Sequence, residues 1–218
     1  RLKSGRWEAV ISYSNEIAGP DLPQFLNVIF GNISIKPGIR LMALDLPPAM
    51  LRQFNGPRFG REGLRRRLNV YGRPLMCSAL KPMGLNSADL ADMAYRFALG
   101  GLDLIKDDHG LANQPFAPFR ERVQRCVEAV ARANQQTGLN CLYLPNVTAP
   151  ADKVLEYALF AREQGAGGLM ICPGITGFDA MRLLADDDRV SLPIMSHPSF
   201  FGSMVTDGYV ATAKYQRN

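Results

Sequence analysis

Histidine, tryptophan and long hydrophobic runs are scarce in this sequence. Its 218 residues include two histidines and one tryptophan, so several histidines of this chain cannot be combined into one metal site. No apolar run approaches the ~18 residues of a membrane-spanning helix, and we expect no membrane partner. The four cysteines, Cys77, Cys126, Cys141 and Cys172, are scattered with no close pair. This spacing argues against a disulfide framework and favours reduced thiols in a cytoplasmic protein.

The charge balance is mildly basic. Lysine and arginine number 25 against 20 acidic residues, which leaves a net charge of +5. Such a balance suits an anionic small molecule, but it is too mild and too dispersed to indicate a nucleic-acid partner. Apolar residues make up 47% of the chain, as is typical of globular proteins, and this excludes a mostly disordered chain.

Five short apolar runs recur along the second two thirds of the chain. They cover residues 75–80, 102–105, 141–144, 168–172 and 192–195. Runs of four to six apolar residues are typical of strands buried on both faces in a parallel sheet. Amphipathic stretches of helical length separate them, including one that starts near Ser87 and stops at Gly100-Gly101, and another over residues 150–164.

This alternation predicts an α/β domain over residues 74–218, with two architectures open. One is a (β/α)8 barrel and the other is an open, doubly wound sheet. A full barrel takes about 250 residues, whereas residues 74–218 supply four and a half βα units. The sheet is therefore either open or the first part, about five strands, of a barrel.

Residues 1–73 have a different character. Trp7 to Ser14 alternates loosely and is expected to form an edge strand, and Asp21 precedes an expected capped helix from Gln24 to Phe30. Prolines break the remainder into short pieces, so we expect the end of a preceding domain and a linker. The chain also begins with Arg1, and we expect it to be a fragment of a longer protein.

Chemistry-bearing side chains cluster where the predicted strands end. Lys81 follows the first strand, Lys106-Asp107-Asp108-His109 follows the second, and His197 follows the fifth. In parallel α/β folds the carboxyl ends of the strands form the active site. Lys106 and Asp108 are two residues apart on an extended segment, so their side chains should point the same way.

Each of these residues also has a purely structural interpretation. Lys106 is equally well explained by an ion pair with Asp103, Asp107 or Asp108 at a sheet edge. Lys81 is also explained as a lysine that extends into solvent at the start of a loop. His197 is also explained as a loop histidine whose ring nitrogens have hydrogen-bond partners and no catalytic role.

Several segments together resemble the large subunit of ribulose bisphosphate carboxylase (RuBisCO). Residues 100–109 read Gly-Gly-Leu-Asp-Leu-Ile-Lys-Asp-Asp-His, and residues 113–116 read Asn-Gln-Pro-Phe. The family signature is Gly-Gly-Leu-Asp-Phe-Thr-Lys-Asp-Asp-Glu, followed by Asn-Ser-Gln-Pro-Phe. The Tyr-Gly-Arg-Pro-Leu of residues 71–75 and the Lys-Pro of residues 81–82 are similar to the entry of its first barrel strand. The resemblance implies a (β/α)8 barrel preceded by an N-terminal α/β domain, working as a homodimer or higher homo-oligomer.

The resemblance also implies roles for individual residues. Lys106 matches a lysine that CO2 carbamylates, and Asp108 matches a Mg2+ ligand. Lys81 matches a lysine that assists enolisation, and His197 matches a histidine near the reacting carbons of the substrate. Asn32 matches an asparagine that reaches from the N-terminal domain into the neighbouring subunit's site.

Departures from the family pattern shift the expected reaction. His109 stands where the family has a glutamate ligand, and imidazole weakens a Mg2+ site or favours another metal. Pro198 replaces an arginine that grips a substrate phosphate. The chain therefore resembles a RuBisCO-like enzyme that forms an enolate from a phosphorylated keto-sugar or keto-acid. The sequences of residues 81–85 and 196–202 resemble those of the family branch that acts on 3-oxo-isoapionate 4-phosphate. A true carboxylase and an inactive truncated scaffold are the alternatives.

Overall fold

The computed structural model describes Gly5 and residues 7–202. Its described residues fall into two compact units, one ending at Phe54 and the other starting at Asn55. The predicted domain boundary between residues 73 and 74 stays a prediction.

The first unit is a set of short helices. It contains the 3-10 helices Asn15–Ile17 and Asn32–Ile35 and the α-helices α1 (Leu22–Phe30) and α2 (Pro48–Leu51). The Asp21 carboxylate accepts a hydrogen bond from the backbone N–H of Gln24 at 3.0 Å, which confirms the predicted cap of α1.

The strand predicted from Trp7 to Ser14 is wrong. No strand is found there, and all eight residues are exposed. An isolated extended segment has no neighbour to take its backbone hydrogen bonds, so alternation by itself cannot make it a strand.

The second unit alternates strands and helices, as the apolar runs predict. Its elements in chain order are α3 (Gly60–Leu68), β1 (Cys77–Leu80), α4 (Ser87–Leu99), β2 (Leu104–Asp107), α5 (Phe119–Thr137), β3 (Leu142–Leu144), α6 (Val154–Glu163), β4 (Leu169–Ile171), α7 (Pro173–Thr176), α8 (Phe178–Asp186) and β5 (Ile194–Ser196). Within the described residues, no helix is both long and apolar enough to cross a membrane.

All five strands pair in parallel. β2 lies between β1 and β3, and β4 pairs with β5. A single parallel bridge between Asn146 and Met170 connects the two groups just past the end of β3. The parallel α/β class is therefore confirmed, whereas the partial (β/α)8 barrel stays a proposal. Because the strands are parallel, their carboxyl ends lie along one edge of the fold.

The second strand differs most from its predicted bounds. The run of residues 102–105 ends at Ile105, but β2 continues through Lys106 and Asp107 because β1 pairs with both positions and β3 pairs with Lys106. Lys106 therefore lies on a central strand and not at a sheet edge.

Helix ends follow their capping residues. Asn86 accepts hydrogen bonds from the backbone N–H groups of Ala88 and Asp89, so α4 begins at Ser87, as predicted. Helix α5 ends at Gly138, whose φ of +71° is a left-handed conformation that a residue without a Cβ adopts readily. The helix predicted for residues 150–164 begins later, at Val154, after a turn.

The two faces of β2 have different neighbours. Ile105 belongs to an apolar cluster with residues of α4 and α5, so this face is covered by helices. Leu104 faces the other way and packs with Leu68 of α3 and Leu144 of β3. By strand alternation, Asp107 lies on the helix-covered face and Lys106 on the opposite one.

Candidate functional site at the carboxyl ends of the strands

Strand register places Lys81 beside Asp108. Ala79 pairs with Lys106 and Leu80 pairs with Asp107, so the next residue of each chain segment is Lys81 and Asp108. Lys81 Nζ lies 3.2 Å from Asp108 Oδ1. The lysine side chain is 60% exposed and the carboxylate 11% exposed, so a solvent-reaching cation covers a largely buried anion.

The charged form of the Asp108 carboxylate is stabilised by its polar neighbours, although its two oxygens accept few hydrogen bonds. Burial alone would raise its pKa, but the Lys81 ammonium, the Gly110 N–H and the nearby His109 outweigh burial and hold the pKa below its ordinary value. Oδ2 accepts a long hydrogen bond of 3.4 Å from Gly110 N. Oδ1 is buried and accepts no well-directed hydrogen bond from the described residues. The Lys81 ammonium, at 3.2 Å, is the cation that faces this oxygen.

Both histidines of the chain meet at this edge. The rings of His109 and His197 stack with centroids 4.7 Å apart and an angle of 11° between the planes. His109 Nδ1 lies 3.4 Å from Asp108 Oδ1. The structure thus brings Asp108, His109 and His197 together at the strand ends.

The surroundings of His197 favour its neutral form. Burial lowers its pKa, and the positive charges of Lys106, His109 and Lys81 lower it further against the opposing effect of Asp108. The backbone N–H of Ser199 donates to Nδ1 at 3.2 Å. Because this ring nitrogen accepts, the network assigns the proton of the neutral ring to Nε2. His197 can therefore present an N–H donor.

Lys106 has no carboxylate partner among the described residues. Its Nζ donates to the backbone carbonyl of Asp107 at 3.1 Å, and no described carboxylate oxygen lies within the 4.0 Å of an ion pair. The sheet-edge ion pair considered from the sequence is therefore wrong for Lys106.

The donor set does not by itself make a magnesium site. Within the part of the chain that the structure describes, no three His, Cys, Asp or Glu side chains form a cluster that could hold a metal ion. Asp108 Oδ1 already faces the Lys81 ammonium and the imidazole of His109, whereas Mg2+ prefers several oxygen ligands. The unmodified side chains thus fall short of a Mg2+ site, and we derive no chemical step through a metal.

Asn32 lies in the first unit, where it begins the 3-10 helix Asn32–Ile35. Its role as a contributor to a site stays a prediction.

Four buried polar residues behind the site were not among the predicted site residues. Asp107, Arg122, Tyr143 and Asn146 are each at most 2% exposed. A sequence signal existed for one of them, since Arg122 directly precedes Val123 on the apolar face of a predicted helix. A charged residue in such a position is almost never fully buried unless it is paired.

The cysteines follow their predicted states with one exception. Cys126, Cys141 and Cys172 are buried free thiols. Cys77 lies on a strand that we expected to be buried, yet it is exposed.

Comparison with known proteins identifies the class. The family model for the ribulose bisphosphate carboxylase large chain, catalytic domain, matches residues 60–204. The chain therefore belongs to the RuBisCO large-chain family.

Several curated relatives are RuBisCO-like proteins or enzymes. The chain is 39% identical over 198 residues to ribulose bisphosphate carboxylase-like protein 1 of Rhodopseudomonas palustris, covering 91% of this chain and 54% of that protein. It is 42% identical over 172 residues to the 5-methylthioribulose-1-phosphate isomerase of Rhodospirillum rubrum, covering 78% and 46%. It is 36% identical over 204 residues to the 2,3-diketo-5-methylthiopentyl-1-phosphate enolase of Geobacillus kaustophilus, covering 93% and 49%. The chain spans about half the length of these relatives.

Solved structures have the same fold over this span. A RuBisCO-like protein from Alicyclobacillus acidocaldarius aligns with a TM-score of 0.86 at 34% identity, covering 92% of this chain and 52% of that one. A dimeric archaeal RuBisCO from Hyperthermus butylicus aligns with a TM-score of 0.80 at 31% identity, covering 88% and 46%.

Proposed function

We propose that the protein forms an enolate from a phosphorylated keto-sugar or keto-acid, in an enolisation, isomerisation or decarboxylation. The observation that carries this proposal is that the Lys81–Asp108 ion pair and the stacked His109 and His197 rings meet at the strand ends, with Lys106 near enough to lower the pKa of His197. An enolate is a localised negative charge, and preorganised cations and N–H donors stabilise it more than the neutral ketone.

Three side chains each have a separate role in forming the enolate. Lys81, held in place by the Asp108 carboxylate, supplies a positive charge for the developing oxyanion. The Nε2–H of neutral His197 donates a hydrogen bond to the same oxygen or to a neighbouring one. Lys106, which has no carboxylate partner among the described residues, accepts the proton from the carbon next to the ketone in its uncharged amine form, after its ammonium has given a proton to solvent.

A singly phosphorylated substrate is favoured over a bisphosphate. After β5 and His197 the chain continues as Pro198-Ser199-Phe200, which carries no cationic side chain. A second phosphate would have no arginine or lysine partner in this segment. The isomerase and enolase relatives are both named for substrates with one phosphate, which supports the same choice.

Proton exchange tests the proposal directly. The complete gene product is incubated in D2O with 5-methylthioribulose 1-phosphate, a 2,3-diketo-5-methylthiopentyl 1-phosphate or 3-oxo-isoapionate 4-phosphate, and deuterium uptake beside the ketone is followed by NMR. We expect uptake with one of them and its loss in Lys106→Met. Lys153→Met, which removes an exposed lysine paired with Glu156, is the matched control and should keep the wild-type rate.

Two outcomes would replace this function. Fixation of labelled CO2 on ribulose bisphosphate, abolished by Lys106→Met, would make the protein a carboxylase. A folded protein that exchanges no proton in any of the three substrates would favour an inactive scaffold.

Cofactor, assembly and location belong to the same proposal. Magnesium and a carbamate on Lys106 stay predictions of the family resemblance. We propose a cytoplasmic homodimer or higher homo-oligomer in which Asn32 of one subunit serves the site of the other. Mixing inactive Lys106→Met and Asn32→Ala proteins should then restore activity, because mixed oligomers contain some intact sites.

A further inference from the structure

A closed set of buried hydrogen bonds lies directly behind the candidate site. The Asp107 carboxylate accepts one from Arg122 Nε at 3.1 Å, one from the Tyr143 hydroxyl at 2.7 Å and one from the Asn146 backbone N–H at 3.0 Å. We call these four residues the Asp107 network. All of them are buried, and the Asp107 backbone carbonyl accepts a hydrogen bond from Lys106 Nζ at 3.1 Å.

Arg122 connects the network to the segment that follows the site. Besides Asp107, its guanidinium donates to the backbone carbonyls of Ala117 at 2.6 Å and Ala112 at 2.8 Å. One fully buried side chain therefore ties strand β2 to both ends of residues 112–117.

Asn146 makes the corresponding contacts closer to the site. Its side-chain amide donates to the carbonyl of His109 at 3.0 Å and to that of Leu111 at 2.8 Å, while its Oδ1 accepts from Thr148 N at 3.1 Å. The backbone of the segment after Asp108 is thus held from β3 as well.

The network is costly to build, which indicates that it serves a purpose other than stability alone. A buried ion pair contributes little net stability compared with apolar residues of the same size. Burial would lower the pKa of Arg122, but the Asp107 carboxylate outweighs it and keeps the pKa raised. Fully satisfied buried networks rigidify their surroundings and specify one arrangement.

Strand alternation transmits this rigidity to the site. Asp107 points to the helix side of β2, so Lys106 and Asp108 on either side of it point the opposite way. Fixing the Asp107 side chain at three hydrogen bonds fixes the peptide planes that flank it.

We propose that Arg122, Tyr143 and Asn146 are positioning residues that, through Asp107, aim Lys106 and Asp108 into the site. The activity readout of this inference rests on the proposed enolisation, whereas its structural readout does not.

Three variants test the inference in the complete gene product. Tyr143→Phe removes one hydrogen bond at almost constant volume, and Asn146→Asp replaces two donors with an acceptor. Tyr95→Phe is the matched control, since it removes a tyrosine hydrogen bond of 2.8 Å to Gln136 on the exposed side of α4 and α5. Amide hydrogen exchange is measured residue by residue, together with kcat and KM.

We expect faster exchange confined to residues 108–117, by about 5- to 10-fold in Tyr143→Phe, because each lost hydrogen bond eases local opening. The kcat should fall by about 10- to 100-fold with KM within about threefold, as for a small misplacement of reacting groups. Tyr95→Phe should change neither quantity.

Other results overturn the inference. Exchange that rises equally in α4 and α6 would show a role in global stability only. A kcat that falls no more than in Tyr95→Phe, despite faster exchange in residues 108–117, would show that the network does not aim the site. If the wild-type protein exchanges no substrate proton, the proposed function fails but this inference is still tested by amide hydrogen exchange. If the amides of residues 108–117 exchange no faster in Tyr143→Phe and Asn146→Asp than in the wild-type protein, the positioning role of the Asp107 network is overturned.

Discussion

Replacing Arg122 with methionine should destabilise the protein strongly. The substitution keeps much of the volume of a side chain that is fully buried, but it leaves the Asp107 carboxylate buried without its cation. Breaking a buried ion pair from one side typically costs about 3–5 kcal/mol. Two backbone carbonyls, of Ala112 and Ala117, lose a donor as well. Because domains are stable by only about 5–15 kcal/mol, a loss of this size is readily measured.

A double variant at Asp107 and Arg122 separates the contribution of the ion pair to the free energy of unfolding from that of side-chain packing. Asp107→Leu combined with Arg122→Met removes both charges, so the double variant should be more stable than the sum of the two single losses predicts, by at least about 1 kcal/mol. Urea unfolding followed by circular dichroism at pH 7 gives the four free energies of the cycle.

An exposed ion pair provides the control. Arg96 pairs with Asp92 one turn away on α4, with 74% of its side chain exposed. Arg96→Met should cost less than about 1 kcal/mol. The reasoning is refuted if Arg122→Met costs no more than Arg96→Met, or if the two single losses at Asp107 and Arg122 simply add.

Three further predictions concern acid stability, metal binding and thiol reactivity. The Arg73 guanidinium donates two hydrogen bonds to the Asp103 carboxylate and holds the pKa of Asp103 below its ordinary value despite burial. The stability that this pair contributes is therefore present above the unfolded pKa of about 3.9 and is lost as pH falls through the lower folded pKa. Acid titration of Arg73→Ala should show a flatter loss of stability than the wild-type protein shows. His109→Glu supplies the missing oxygen ligand, and calorimetry in bicarbonate buffer should show Mg2+ binding tightened by about 10-fold or more; unchanged affinity would contradict the account of the donor set. Burial raises the pKa of Cys141 to about 12, so iodoacetamide at pH 8 should modify exposed Cys77 and spare Cys141, as peptide mass mapping can check.

Local sequence patterns were enough to predict the strand positions of the second unit. The apolar runs located all five strands to within a few residues, since a strand buried on both faces needs apolar residues throughout. The period of two also predicted that Lys106 and Asp108 share a face, because that relation depends only on the geometry of one extended segment.

Patterns failed where a neighbour decides the outcome. The alternation in residues 7–14 looked like a strand, but no strand among the described residues takes its hydrogen bonds. The end of β2 was placed too early at Ile105, since pairing with β1 and β3 carries the strand through two charged residues.

The sequence by itself determined the parallel α/β class and the concentration of lysines and histidines at the strand ends, because both follow from short-range periodicity and chain direction. Only the tertiary structure decided that Lys81 faces Asp108, that the two histidine rings stack, and that Asp107 turns away to meet Arg122. These contacts join residues 15 to 88 positions apart. Strand register and helix packing set them, and no local pattern encodes either.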